Sequence, residues 1–227
     1  MVIGIDLNDV LRDYTSQFAS YYKKVVDPDF DIDNMDFFTD NFRYLFPFES
    51  DKAYQDFVYE DCAYELYGCA SPCDKALPAR FNNWLQNDLA NMDFEKPRVM
   101  LVSPFEFGLT IQGTHFFLSK NAYRAREIYF PKDSQDIWNR CDIVVTASAK
   151  LLSKRPNDPK KIGIKIKNKV NESGEAEYNF DSMLQLLSDT ENGMEKIITD
   201  WHNKFEADTE QELFGPDCKE EEEKKGE

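Results

Sequence analysis

The chain has 227 residues, 41% of them hydrophobic and 14% aromatic, which is the composition of a packed globular protein and excludes a wholly disordered one. Its formal net charge of -16 argues against the extended basic surface that binding to a phosphate backbone requires, so we expect no nucleic-acid partner. No run approaches the roughly eighteen apolar residues of a membrane-spanning helix, and no signal-peptide pattern opens the sequence. We therefore expect a cytoplasmic protein that has no membrane partner.

The five cysteines also favour a cytoplasmic location. Their number is odd, and the pair Cys69 and Cys73 has no second pair or histidine nearby, which makes a zinc site a poor interpretation. Free thiols are the better prediction, and free thiols are typical of cytosolic proteins.

The chain opens with the residues Val2-Ile3-Gly4-Ile5, a short apolar run that ends at an acid and predicts a buried strand. Similar runs predict four more strands, at residues 98–103, 126–130, 142–147 and 161–167. In the last run lysine alternates with isoleucine, so we expect a half-exposed edge strand there. Helical patterns at residues 109–120 and 148–153 lie between the runs. This alternation predicts an α/β fold, with a parallel sheet flanked by helices.

The region between the first two strands has a different pattern. Residues 11–95 contain no apolar strand run, but aromatic residues recur in them at three- and four-residue spacing, with helices expected near residues 51–67 and 77–92. We predict a helical cap inserted after the first strand, whose aromatic residues form its core rather than a ligand-stacking site. The α/β core would then comprise residues 1–10 and 96–205.

Two closing helices are expected at residues 180–187 and 191–205, the first with Asp181 as its N-cap. After them, residues 206–227 hold ten acidic residues and three lysines. We predict that this tail is solvated and disordered.

Polar side chains stand where three of the predicted strands end. They are Asp6, Ser103 and Thr146. Because parallel strands present their carboxyl ends at one edge of the sheet, and ligands bind at that edge in open α/β sheets, we expect these three residues to lie together.

The residues Asp6-Leu7-Asn8-Asp9-Val10-Leu11 resemble the first motif of the haloacid dehalogenase-like (HAD) superfamily, most closely the opening of its 5'(3')-deoxyribonucleotidase group, Asp-x-Asp-Gly-Val. The order of elements over residues 1–170 resembles that family as well: a strand with the nucleophile, a helical cap, a strand that ends in a hydroxyl residue, and a strand that is normally followed by acids. The resemblance implies a HAD-like Rossmannoid sheet with an inserted helical cap.

The resemblance also implies roles for individual residues. Asp6 would be the phosphoryl nucleophile, and Asn8 occupies the position of the general acid and base. Ser103 and Lys132 would bind the phosphoryl oxygens, with Lys120 as an alternative lysine. Mg²⁺, the expected cofactor of an active enzyme, would be held by Asp6, the backbone carbonyl of Asn8 and acids at the position of Thr146.

Two departures from the family pattern weaken the predicted activity. Asn8 is an amide that cannot exchange a proton, and the fourth strand is followed by Thr146-Ala147-Ser148 instead of acids. Loss of general acid-base help alone typically costs about 10²- to 10⁴-fold in rate. The neighbouring acids Asp9 and Asp13 are better interpreted as helix caps or helix-dipole partners than as replacements.

Three hypotheses follow from these residues. The first is a HAD-like phosphatase homologue with impaired or absent catalysis, which acts by binding a phosphate-containing small molecule or a protein partner and needs no cofactor. The second is a divergent Mg²⁺-dependent phosphohydrolase, similar to a 5'-nucleotidase, with Asp6 as its nucleophile. The third is an unrelated α/β protein whose opening mimics the motif. Neither His115 nor His202 lies in a nucleophile motif, so both are expected to be structural.

Overall fold

The computed structural model describes residues 1–31, 41–168 and 174–205. These residues contain six strands, all parallel, which form one sheet in the order β3-β2-β1-β4-β5-β6. The strands are β1 (Val2–Asp6), β2 (Arg98–Val102), β3 (Ile128–Tyr129), β4 (Ile143–Thr146), β5 (Ile162–Ile166) and β6 (Tyr178–Phe180). The predicted α/β class, with a Rossmann-like parallel sheet flanked by helices, is confirmed.

Ten α-helices surround the sheet in the described ranges. They are α1 (Tyr14–Val25), α2 (Phe42–Leu45), α3 (Asp51–Asp56), α4 (Ala63–Tyr67), α5 (Leu77–Asn83), α6 (Leu109–Lys120), α7 (Ser134–Arg140), α8 (Ala149–Ser153), α9 (Met183–Ser188) and α10 (Met194–Phe205). None of the helices in this part of the chain is long and apolar enough to cross a membrane.

Alternate side chains of the central strands enter two separate cores, one on each face of the sheet. Ile3 and Ile5 of β1 belong to the larger core, together with Leu101 of β2. Met100 and Val102 belong to the smaller core on the opposite face. Both faces are therefore buried, which is why these strands read as continuous apolar runs.

The prediction of β5 as a half-exposed edge strand is wrong. β6 pairs with β5 on its outer side, and four of the five residues of β5 are buried. Even Lys165 is only 6% exposed, and its Nζ donates to the carbonyl oxygen of Gly174 over 2.9 Å. The alternation of lysine and isoleucine was misleading because a lysine can bury its aliphatic stem when its ammonium group finds an acceptor.

The boundaries of the ninth helix also differ from the prediction. Phe180 belongs to β6, and α9 begins only at Met183. Its N-cap is Ser182, whose hydroxyl accepts from the backbone N–H of Gln185 over 3.0 Å, so the prediction of Asp181 as N-cap is wrong. Asp181 instead accepts from Lys167 Nζ over 2.8 Å. The predicted acidic tail, 206–227, lies outside the described residues.

The described chain between β1 and β2 is mostly helical. Its first part, from Tyr14 to Tyr67, forms an aromatic core of its own, whereas Leu77, Phe81, Trp84 and Leu89 pack in the larger core of the sheet. The predicted helices at residues 51–67 and 77–92 are each interrupted, by π-helical turns at Phe57–Asp61 and Trp84–Asp88. The prediction that the aromatic residues form a core is confirmed. The separate core contains the buried residues Tyr14, Phe18, Ala19, Tyr22, Phe42, Leu45, Phe46, Phe57, Val58, Cys62, Leu66 and Tyr67. That this region acts as a cap stays a prediction.

Candidate functional site

The carboxyl edge of the sheet brings Asp6 and Thr146 into direct contact. β1 lies between β2 and β4, and Asp6 is its last residue. Thr146, the last residue of β4, donates its hydroxyl to Asp6 Oδ2 over 2.7 Å. Ser103 follows Val102, the partner of Asp6 in the register of β1 and β2. The three strand-end residues thus share one edge, as the sequence indicated.

The carboxyl group of Asp6 is almost completely removed from water. The residue is 2% exposed, and this burial raises its pKa from 3.8 to about 7. The hydrogen bond from Thr146 opposes the rise, as does a weaker one of 3.4 Å from the backbone N–H of Asn8. A large share of the Asp6 side chains is therefore protonated and uncharged at neutral pH.

The amide of Asn8 holds a buried arginine. Arg12 donates to Asn8 Oδ1 from Nε over 3.0 Å and from Nη2 over 2.6 Å. The same Nη2 lies 2.6 Å from Glu106 Oε1, and both side chains of this ion pair are fully buried. Arg12 also lies over the ring of Tyr67, 4.8 Å from its centroid. In this structure Asn8 is an acceptor in a buried charge network.

The Ser103 hydroxyl belongs to the same network. It donates to Glu106 Oε1, while Thr114 Oγ1 donates to Glu106 Oε2 over 2.5 Å. Thr114 Oγ1 also accepts from Arg12 Nη1 over 2.5 Å. Glu106 therefore collects hydrogen bonds from three side chains, which compensates for much of the cost of burying its charge. Sequence reasoning missed Glu106, because one acid between two phenylalanines after a strand carries no distinguishing pattern.

Asp9 and Asp13 organise the turn that leads into α1. Asp9 has a φ of 57°, and its carboxylate accepts from the backbone N–H of Thr15 over 2.8 Å and from the Thr15 hydroxyl over 2.6 Å. Asp13 is the N-cap of α1 and accepts from the backbone N–H of Ser16 over 3.3 Å. Desolvation raises the pKa of Asp9 to about 6. Both acids therefore make the structural contacts that the sequence favoured.

A cavity of about 260 Å³ opens beside Asp6 and Asn8, between the sheet edge and the helices that follow β1. Phenols line much of it. Burial raises the pKa of Tyr59, and that of Tyr67 well above its usual value, so their hydroxyls stay protonated and available as donors. Besides Asp6 and Asn8, the lining consists of Asp9, Tyr14, Asn41, Phe42, Tyr54, Tyr59, Tyr67, Pro104, Phe105, Ser134, Ala147, Ser148, Lys150 and Asn168. We refer to it as the Asp6 cavity.

Among its described residues, the Asp6 cavity has a lysine other than those expected from the sequence. Lys132 is exposed and does not line the cavity. Lys120 ends α6, where its Nζ donates to the carbonyl oxygen of Cys69 over 3.4 Å. The lining lysine is Lys150 on α8, whose Nζ lies 4.8 Å from the centroid of the Phe105 ring. Lys150 reaches the cavity because α8, on which it lies, begins just after the carboxyl end of β4.

The donor set beside Asp6 does not fit Mg²⁺. One oxygen of Asp6 accepts from Thr146, and the Asn8 side-chain oxygen accepts from Arg12. In the described ranges, no three or more His, Cys, Asp or Glu side chains are grouped so that they could hold a metal ion. Mg²⁺ prefers carboxylate oxygens, and the hydroxyl of Thr146 stands where the resemblance implies a carboxylate.

The two histidines contact aromatic rings, and Cys62 and Cys141 are buried in cores. His115 meets the ring of Phe130 at a centroid distance of 5.9 Å, and His202 stacks on Phe94 at 4.1 Å. The described cysteines are all free, as predicted. Burial raises the pKa of Cys62 to about 11, so its thiol is poorly ionised at neutral pH and weakly nucleophilic.

In comparisons with known proteins, no family model and no curated protein matches this chain. Its relationship to the HAD superfamily is therefore a hypothesis that rests on the opening motif and the order of elements.

Proposed function

We propose that this chain is a HAD-like protein that binds a small phosphate-containing molecule in the Asp6 cavity without efficient phosphoryl transfer. The observation that carries the proposal is the state of Asp6. Its carboxyl group is buried, its pKa is about 7, and its neighbour at the end of β4 is a threonine hydroxyl.

Each part of the expected phosphatase chemistry is weakened at this edge. A carboxylate attacks phosphorus only when it is ionised, and a large fraction of Asp6 carries a proton at neutral pH. The amide of Asn8 is held by Arg12 and cannot act as acid or base. The Ser103 hydroxyl donates to Glu106, so binding a phosphoryl oxygen would require that hydrogen bond to break.

The lining of the cavity offers groups for a phosphate on a molecule that carries a ring, with the Asp9 carboxylate opposing the charge of Lys150. Lys150 supplies a positive charge, and the phenols of Tyr59 and Tyr67 supply donors for phosphate oxygens. Phe42 and Phe105 add apolar surface against which a ring can pack. The volume of about 260 Å³ is near the lower limit for small-molecule sites, so the ligand is expected to be no larger than a nucleoside monophosphate.

Calorimetric titration tests the proposal with three probes: inorganic phosphate, phenyl phosphate and thymidine monophosphate. Each is titrated with Mg²⁺ and with a chelator, and phosphate release is measured in parallel samples. We expect binding of at least one probe without release above background. Mg²⁺-dependent hydrolysis that Asp6→Asn abolishes would falsify the proposal, and so would the absence of binding for all three probes.

The position of Asp6 favours a second candidate function, a divergent Mg²⁺-dependent phosphohydrolase. Asp6 ends the central strand and lines the cavity together with Asn8, so a phosphoryl group in the cavity would lie beside it. The double variant Asn8→Asp and Thr146→Asp restores the acids of the family pattern. Mg²⁺-dependent hydrolysis by the native chain that increases further in this variant would support this candidate. Absence of both Mg²⁺ binding and hydrolysis in the native chain and in the variant would exclude it.

A further inference from the structure

A groove of about 430 Å³ lies at the opposite edge of the sheet from Asp6, around the amino ends of β2 and β3. We call it the basic groove. Its cations are Lys96, Arg98, Arg124 and Arg126, and its other lining residues are Leu85, Gln86, Leu89, Pro97, Val99, Ala125 and Glu127. It thus combines an apolar floor with a rim of positive charge.

The charge of this groove is opposite to that of the chain, whose net charge is -16. The acid that lines it is Glu127, which accepts from both Arg98 Nε and Arg98 Nη2. Among the described residues, no carboxylate pairs with Lys96, Arg124 or Arg126. Three cations of the groove therefore lack an ion-pair partner within the described part of this strongly acidic chain.

Neutral hydrogen bonds hold two of these cations at the rim. Lys96 Nζ donates to the carbonyl oxygen of Leu85 over 3.2 Å, and Arg124 Nη1 donates to Gln86 Oε1 over 3.4 Å. Both side chains are exposed and keep further donors for a ligand. A single anion would neutralise only part of such a distributed charge, so the groove suits an extended anionic segment.

We infer that the basic groove binds the acidic residues 206–227 of this same chain. That segment has ten acids and three lysines, a net charge of -7, which complements the rim. Its acids flank the apolar pair Leu213-Phe214, which matches the apolar floor of Leu85, Leu89 and Val99. The cations of the groove would therefore face the acids of the segment, and its apolar floor would face Leu213 and Phe214.

The helix that precedes this segment in the sequence packs close to the groove. His202, in the last turn of α10, stacks on Phe94 with a centroid distance of 4.1 Å. Lys96 is two residues from Phe94, a span of at most about 7 Å. Leu213 is eight residues beyond Phe205 and can reach about 27 Å from it. Because the segment is tethered this close, its effective concentration at the groove is on the order of millimolar, so weak contacts suffice.

A single-stranded nucleic acid is a poorer occupant for two reasons. None of the described residues that line the groove is aromatic, so bases would have no ring among them on which to stack. The charge of -16 would also repel a polyphosphate backbone outside the groove.

Zero-length carbodiimide cross-linking of the full chain, followed by mass spectrometry, tests the inference. The reagent joins an amine to a carboxylate only when they are in contact. We expect cross-links from Lys96 to Glu206, Glu210 or Glu212, in about tenfold excess over those from the exposed control Lys132, because binding in the groove would concentrate these carboxylates at Lys96. Salt at about 0.5 M should reduce this excess, because it screens exposed charges. Equal yields from both lysines would overturn the inference.

Two full-length variants separate groove binding from nonspecific attraction. Arg124→Glu combined with Arg126→Glu should abolish the excess at Lys96, whereas the matched exposed pair Lys23→Glu and Lys24→Glu should leave it unchanged. Leu213→Ser combined with Phe214→Ser should reduce it at constant charge. Thermal unfolding confirms that each variant is folded. Retention of the excess in the Arg124 and Arg126 variant would contradict the inference.

Mixing isotopically light and heavy chains distinguishes the cis arrangement from exchange between copies. Cross-links within one isotopic form, at a yield independent of protein concentration, support binding within one chain. Mixed-isotope cross-links as the main product would show that the groove binds a second copy, which would overturn the inference.

Discussion

Thr146 donates its hydroxyl to Asp6 at the position after the fourth core strand where the resembled family carries an acid. A carboxylate there would repel Asp6 unless a cation lay between them, whereas a hydroxyl stabilises its ionised form directly. Thr146 thus places a hydrogen-bond donor where the resembled family has a potential metal ligand. Whatever the Asp6 cavity binds must approach a carboxyl group that is only partly ionised at neutral pH.

Replacement of Thr146 by valine should raise the pKa of Asp6 above its native value of about 7. Valine keeps the shape of the side chain but removes the hydrogen bond that opposes the effect of burial. An NMR titration of the Asp6 carboxyl carbon measures this directly. The matched variant Thr146→Ser keeps the hydroxyl and should leave the pKa of Asp6 near 7. Equal pKa values in the two variants would show that the hydroxyl does not lower the pKa of Asp6.

The free energy of unfolding should fall as pH rises from 5 to 8. In the folded chain, burial raises the pKa of Asp6 from 3.8 to about 7 and that of Asp9 from 3.8 to about 6. Between the unfolded-state and the folded-state pKa of each group, the folded chain binds more protons than the unfolded chain. The free energy of unfolding that these two groups contribute is therefore greatest at low pH and is lost as pH rises through the folded-state pKa. Over this pH range the two shifts together correspond to about three pKa units, and since one unit is about 1.4 kcal/mol, we expect a loss of about 4 kcal/mol.

Urea denaturation of the native chain and of Asp6→Asn at several pH values checks this expectation. The asparagine can still accept from Thr146 but does not titrate, so most of the fall should disappear. Glu60→Gln, at an exposed position, serves as the control and should retain the native pH dependence. An unchanged slope in Asp6→Asn would disprove the buried-carboxyl explanation.

The ion pair between Arg12 and Glu106 should depend strongly on both partners. Both side chains are fully buried, so Arg12→Met leaves the charge of Glu106 without compensation and should cost about 3–5 kcal/mol of folding stability. Adding Glu106→Gln removes that charge and should recover a large part of the loss. A double-mutant cycle measured by urea denaturation gives the coupling. Strict additivity of the two changes would show that the pair does not interact.

Gly4 of β1 is required by its neighbour Cys141. A Cβ at residue 4 would lie 2.7 Å from Cys141 Sγ, closer than van der Waals contact allows. Gly4→Ala should therefore destabilise the chain by about 1–3 kcal/mol, the usual cost of overpacking. Cys141→Ala removes the sulfur and should make Gly4→Ala less costly when the two are combined. Equal costs in both backgrounds, measured by denaturation, would exclude this clash.

Ligand binding in the Asp6 cavity should depend on Lys150 and not on Lys132. Lys150→Met removes the positive charge of this lysine while retaining apolar bulk, and it should weaken binding of an anionic probe by about 10- to 150-fold, since a charged hydrogen bond contributes about 1.5–3 kcal/mol. Lys132→Met should have no effect, because Lys132 does not line the cavity. Calorimetry with thymidine monophosphate compares the affinities of the two variants. Weaker binding by Lys132→Met than by Lys150→Met would instead support Lys132, the lysine that the family resemblance implies.

Local sequence patterns predicted the strands well because β-branched apolar runs report burial on both faces of a sheet. They failed at β5 and β6, where Lys165 is buried by contacts that depend on residues brought together only by folding. The N-cap of α9 was displaced by one residue, since Asp181 and Ser182 are both good caps and adjacent in sequence.

The sequence by itself determined the parallel α/β architecture and placed Asp6, Ser103 and Thr146 at one edge, since both follow from where apolar runs end. Only the tertiary structure decided what those side chains contact. The partner of Asp6 is 140 residues away, and the partner of Arg12 is 94 residues away. Such contacts leave no local periodicity, so the protonation of Asp6 and the choice of Lys150 arise from packing between distant segments. Ser103 and Asn8 contact residues only three and four positions away, but those residues, Glu106 and Arg12, form a buried pair that joins distant segments.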